Sequence, residues 1–196
     1  MRSLSLILND DVPEPELVER IGDDLVAWGR DNGLNLIHQP AASDGAPVRI
    51  DRWFDPDGQL MFELVRDEQL GHPYLSIVHP DKARLREVWE AMRGAPQGRS
   101  IADLKRDVAR SGARDPAAYL RLAMGLAPEP DAEASDLIAE GLTSADLETR
   151  AQAAMAAGLL LWPAFESPLE AALASEPDRG VADVMTAALR FLRAER

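Results

Sequence analysis

The segment DLETRAQAAMAAG, residues 146–158, has a second copy in DPAAYLRLAMG, residues 115–125. Each copy begins with aspartate and reaches methionine nine positions later, and the two starts lie about 30 residues apart. A third copy begins at Asp178, at nearly the same interval. A period of this length is typical of helical hairpins stacked side by side, because one hairpin is too small to bury its apolar face alone. Residues 99–196 are therefore predicted to form an all-α stack of about three hairpins.

Residues 146–158 resemble the second helix of a HEAT-type repeat. That pattern has an acidic turn, a β-branched residue followed by arginine, then small residues and a closing glycine. Thr149 and Arg150 occupy the middle positions, and the small positions hold Ala153, Ala154, Ala157 and Gly158. The other two copies lack the arginine. The resemblance covers roughly the last 80 to 95 residues and implies a HEAT-like stack; the alternative is an ordinary bundle of alanine-rich helices.

Start signals divide this half of the chain into six helices. Ser100 is followed three positions later by Asp103, a variant of the capping box. Asp115 and Pro116 supply an N-cap residue and a proline at the first helical position, and residues 167–170, SPLE, form a full capping box. The helices are predicted to begin near Ser100, Asp115, Ala132, Asp146, Pro168 and Asp178.

Residues 1–93 are predicted to form an α+β unit with a mixed or antiparallel sheet. Residues 48–54 and 60–65 flank the turn signal DPDG and predict a hairpin. Residues 14–31 place apolar side chains on one helical face. The remaining strands are predicted at residues 3–8, 34–38 and 73–79, and a second helix from Asp81. Residues 94–98 hold two glycines and a proline and are the predicted linker to the second domain, residues 99–196.

Composition limits the classes of function. Cysteine is absent, which excludes disulfides, thiolate catalysis and cysteine-based zinc sites. No apolar run approaches the length of a membrane span, and the first ten residues hold too short an apolar run for a secretory signal. A cytoplasmic protein with no membrane contact is therefore expected.

The charge predicts the kind of partner. The formal net charge is −13, and residues 129–183 hold 12 carboxylates against Arg150 and Arg179. Binding to DNA or RNA requires lysine and arginine to neutralise phosphates, so nucleic acid is disfavoured. A basic protein partner is favoured instead, and the alternative is that the acid only keeps the protein soluble.

The acids that a helical stack leaves exposed are the predicted contact residues. Asp136 and Glu140 lie four residues apart and share one helical face, which Glu133 extends. The complete predicted set is Asp131, Glu133, Asp136, Glu140, Asp146, Glu148, Glu170, Glu176 and Asp178.

The supply of catalytic residues is small. The histidines His38, His72 and His79 could bind zinc together with Asp51 or Asp67, but no HxH or HxxxH pair exists. Neither a GxSxG motif nor a glycine-rich phosphate loop is present. The sequence therefore predicts a non-catalytic protein-binding module without a cofactor, most concretely an inhibitor or immunity-type protein that masks a basic partner. The alternatives are a small metal-dependent or carboxylate-based enzyme with its site in the N-terminal unit, and a regulatory scaffold.

Overall fold

The computed structural model describes residues 2–9, 13–41, 47–56, 58–68, 70–93, 97–126 and 129–194. The chain divides into two compact units, Met1–Arg99 and Ser100–Arg196. The first unit contains an antiparallel sheet and the second is helical. The predicted fold class, an α+β unit followed by an all-α unit, is confirmed.

The sheet of the first unit has five strands within the described residues, in the order β1-β5-β4-β3-β2. All neighbours are antiparallel. Strands β2 to β5 follow one another as a meander, and β1 pairs with β5, so β1 and β2 form the two edges. The strands are β1 (Arg2–Ile7), β2 (Ile37–Gln39), β3 (Val48–Phe54), β4 (Met61–Asp67) and β5 (Tyr74–His79).

Two helices bury the apolar residues of this sheet. They are α1 (Glu14–Asp31), between β1 and β2, and α2 (Lys82–Met92), after β5. Trp28 of α1 meets Phe62 of β4 edge to face at 5.6 Å between ring centroids. Trp89 of α2 donates its indole N–H to the carbonyl oxygen of Ser5 at 3.0 Å, because a buried indole needs an acceptor.

Strand β2 differs from its prediction at residues 34–38, since it begins three residues later, at Ile37, and ends at Gln39. Gly33 takes a φ of 71° after α1, and the amide of Leu34 donates to the carbonyl of Gly29 at 2.8 Å. These contacts turn the chain back over the end of the helix. Leu34 therefore caps α1 and does not pair with β3.

Part of the predicted linker belongs to the first unit. Residues 94–96 lie outside the described residues. The carbonyl of Gln97 accepts a hydrogen bond from the amide of Asn9 at 2.9 Å, and Gly98 forms an isolated antiparallel β-bridge with Leu8. The amide of Arg99 donates to Ile7 at 2.7 Å. Residues 97–99 therefore pair with the chain at the end of β1.

Six α-helices lie in the described part of the second unit. They pair as three successive hairpins, and α4 and α8 both pack against α6. A 3-10 turn at Pro163–Phe165 leads directly into α7, so this helix begins before the predicted Pro168. The helices are α3 (Ile101–Ser111), α4 (Ala117–Gly125), α5 (Ala132–Gly141), α6 (Leu147–Leu160), α7 (Glu166–Ser175) and α8 (Arg179–Ala194).

Small residues allow α6 to approach its neighbours closely. Ala153, Ala154, Ala156 and Ala157 have no exposed surface. A Cβ atom placed on Gly158 would lie 3.0 Å from the Cβ atom of Ala188 in α8. Larger side chains here would force the two helices apart.

Candidate protein-interaction surfaces

Three of the predicted contact acids are N-caps. The carboxylate of Asp131 accepts from the amide of Ala134 at 2.9 Å, and that of Asp178 from the amide of Val181 at 3.0 Å. The carboxylate of Asp146 accepts hydrogen bonds from the hydroxyl and the amide of Thr149. These hydrogen bonds lower the pKa of the Asp146 carboxyl. These aspartates satisfy amides that a helix start would leave without acceptors. At Asp146 and Asp178 the repeated aspartate therefore has a structural role.

Glu176 is not available to a partner. Its side chain is 1% exposed, and both carboxylate oxygens accept from Arg150, from Nε at 2.7 Å and from Nη2 at 2.9 Å. Arg150 also donates to the carbonyl of Ser144 at 2.9 Å. The hydrogen bonds from Arg150 lower the pKa of the Glu176 carboxyl. The expectation that Glu176 is exposed is therefore wrong, because a cation 26 residues away in the sequence holds it inside the unit.

Two further predicted acids are exposed but engaged in ion pairs. Lys105 of α3 lies 2.9 Å from the carboxylate of Glu133 and 2.8 Å from that of Asp131. Arg193 of α8 pairs with Glu170 of α7. These pairs connect helices within the second unit, so a partner would compete with an internal cation for these carboxylates.

Asp136 and Glu140 of α5, and Glu148 of α6, are the predicted acids that stay exposed and outside any ion pair among the described residues. Asp136 and Glu140 lie one turn apart on the outer face of α5. Burial, and to a smaller extent the charge of Glu140, raise the pKa of Tyr119. Of the nine predicted acids, these three therefore have the geometry that an electrostatic contact requires.

Two cations, one in the last turn of α3 and one in the 3-10 turn after it, border Glu140 of α5. A groove of about 350 Å³ is lined by Arg110, Arg114, Tyr119 and Glu140, among others. Arg110 and Arg114 are both exposed. Both arginines precede residues 129–183 in the sequence, so they do not belong to the acidic stretch that predicts a basic partner. The acidic face of α5 therefore has a basic border that only the fold reveals.

The outer face of α6 is apolar, a feature that the sequence analysis missed. Leu147, Met155 and Leu159 are among the large apolar side chains that stay exposed, and Leu159 is 53% exposed. Phe191 of the neighbouring α8 is 60% exposed. The spacing of four between Leu147, Ala151, Met155 and Leu159 is the signal that could have found this face.

In the first unit the structure brings His38 and Asp51 together. The Nε2 atom of His38 lies 3.0 Å from Oδ1 of Asp51, and Arg66 pairs with the other oxygen. The imidazole stacks on Trp53 at 4.6 Å between ring centroids. His79 instead contacts the backbone of Asp81 through Nδ1. Across the described ranges, no group of three or more histidine, aspartate or glutamate side chains is arranged to hold a metal ion.

A search of protein-family models, of curated proteins and of solved structures gives no match to this chain. The HEAT-type resemblance thus stays a prediction from the sequence. Among the described residues, no helix is both long and apolar enough to cross a bilayer.

Proposed function

We propose that this chain is a non-catalytic protein-binding module whose α5 outer face contacts a basic protein, as an inhibitor or immunity-type protein would. The observation that supports this proposal is the pair Asp136 and Glu140, which are exposed and outside any ion pair in the described part of the chain. The formal net charge of −13 extends the attraction for a basic partner beyond this contact.

Like charges at this spacing oppose helix formation. Two carboxylates four residues apart destabilise a helix by about 0.2 to 0.5 kcal/mol. Lys105 offsets Glu133 and Asp131 at the start of α5, but its ion pairs within the described part of the chain do not include Asp136 or Glu140. A lysine or arginine of the partner would remove this repulsion and would add a charge-assisted hydrogen bond.

The arginines beside the acidic face of α5 indicate how charge is distributed on the surface of a partner. Arg110 and Arg114 line the groove beside Glu140, so a partner needs its cations over α5 and neutral or acidic side chains toward α3. A uniformly charged polyanion such as a nucleic acid would meet the carboxylates of Asp136 and Glu140 directly. The geometry therefore favours a protein surface with localised positive charge.

The test compares two variants with the same change in net charge. The wild-type chain is used to capture its partner from a lysate of the cells that make it, and the association rate is then measured with purified components. We expect Asp136→Lys with Glu140→Lys to slow association at least about tenfold, because electrostatic steering acts on the on-rate. Added salt should also slow association of the wild-type chain, because it screens exposed charges.

The matched control is Asp23→Lys with Asp24→Lys, on the exposed face of α1 in the first unit. Both double variants should melt near the wild-type temperature, since all four carboxylates are exposed. The proposed contact at α5 would be contradicted by equal association rates for the two double variants. A wild-type association rate that does not change with salt would contradict it as well.

A further inference from the structure

Helix α6 is apolar on two opposite sides. One side, with Ala153, Ala154 and Ala157, has no exposed surface. The other side carries Leu147, Ala151, Met155 and Leu159 at successive turns over about 18 Å. A helix that is apolar all round is usually covered all round. In this unit only the first side is buried.

Helix α8 continues this exposed surface. It packs directly on α6, with Gly158 against Ala188. Phe191 is its most exposed large apolar side chain, and Ala187 lies one turn earlier on the exposed side. We call the surface formed by Leu147, Ala151, Met155, Leu159, Ala187 and Phe191 the outer patch. Clustered apolar side chains of this kind mark interaction sites more often than isolated ones do.

The charges around the outer patch indicate what covers it. Glu148 and Asp183 supply two negative charges, and Arg179 and Arg190 supply two positive charges. All four are exposed. These four exposed charges of α6 and α8 cancel one another, in contrast to the whole chain with its net charge of −13. A basic partner would place cations against Arg179 and Arg190, whereas a second copy of this chain supplies both signs.

The order of these charges along α8 suits a two-fold pairing. Asp183 and Arg190 are two turns apart, and the small residue Ala187 lies between them. If two copies of α8 cross antiparallel at Ala187, Asp183 of each copy lies opposite Arg190 of the other. A two-fold axis repeats this contact, so the dimer contains it twice. Phe191 of each copy, one turn beyond Ala187 on the exposed side, then lies within the interface.

We propose that the outer patch is the interface of a symmetric dimer of this chain, with the two α8 helices antiparallel at Ala187. This interface is separate from the α5 face, so the dimer keeps both α5 faces open to a partner. The proposal thus goes beyond the proposed function and does not depend on it.

Sedimentation equilibrium of the full chain tests the dimer. We expect wild type to be a dimer at about 0.1 mM, and Phe191→Asp to weaken association at least about 100-fold. Val26→Asp is the matched control, since Val26 is an exposed apolar residue of α1, 39% exposed. It should leave the dimer intact. A monomeric wild type, or a dimer that Phe191→Asp leaves unchanged, would overturn the proposal.

Exchanging charges tests the antiparallel arrangement. Asp183→Arg alone and Arg190→Asp alone each create two like-charge contacts per dimer, so each should weaken association about tenfold or more. The double variant restores opposite charges and should recover association to within about threefold of wild type. A double variant as weak as the single ones would overturn the proposal.

Discussion

Replacing Ala157 with glutamate is expected to unfold the helical unit. Ala157 lies in α6 with no exposed surface, between the helices that pack on both flanks of α6. A glutamate there must bury a charge without a prepared partner, or force α6 away from its neighbours. The free energy of unfolding is expected to fall by about 5 kcal/mol, which is comparable with the whole stability of a typical domain.

Ala171→Glu is the matched control for this variant. Ala171 lies in α7 but is exposed, so the same substitution should change the free energy of unfolding by only a few tenths of a kcal/mol. Chemical denaturation followed by far-UV circular dichroism measures both. If the two variants unfolded at the same denaturant concentration as wild type, the packing described for α6 would be wrong.

Replacing Glu176 with alanine is expected to lower the melting temperature on the order of 10 °C. The substitution leaves Arg150 without the two carboxylate oxygens that it now contacts at 2.7 and 2.9 Å. Glu170→Ala is the control, because the carboxylate of Glu170 also pairs with an arginine but is 53% exposed. It should change the melting temperature little, as expected for exposed ion pairs.

The contribution of Glu176 should also depend on pH in one direction. The pKa of this carboxyl lies below its ordinary value of 4.5, mainly because of the hydrogen bonds from Arg150. The stabilisation is therefore fully present above pH 4.5 and is lost as the pH falls through the lowered pKa. The difference in the free energy of unfolding between wild type and Glu176→Gln should therefore shrink as the pH falls below 4.5 and through the lowered pKa. A constant difference would show that Glu176 does not titrate in this way.

Local signals predicted most of the fold. Helix α1 and strand β3 have the predicted bounds, and the helices predicted to begin at Asp81 and near Asp146 begin at Lys82 and Leu147. These features depend on side chains within a few residues of one another, and such signals can be read directly from the sequence. Strand β2 was misplaced because the amide of Leu34 binds Gly29, and a contact made by a helix end competes with strand pairing.

The candidate site was harder to predict because exposure is a property of the folded unit. Glu176 and Asp136 are both acids in helical hairpins, yet Arg150 buries one and the other stays exposed. The apolar residues of α6 all look like core residues in the sequence. Their spacing places Met155 and Leu159 on one side of the helix, but only the packing against α4 and α8 shows that this side is the exposed one.

In the proposed function, a basic protein binds the outer face of α5. Amide hydrogen exchange of the chain, alone and with the captured partner, tests it most directly, because a docked surface suppresses local opening. We expect slower exchange in the peptides of α5 that carry Asp136 and Glu140, and no such slowing with the Asp136→Lys, Glu140→Lys variant. Slower exchange confined to α1 and the strands of the first unit, with α5 unchanged, would contradict the proposed function.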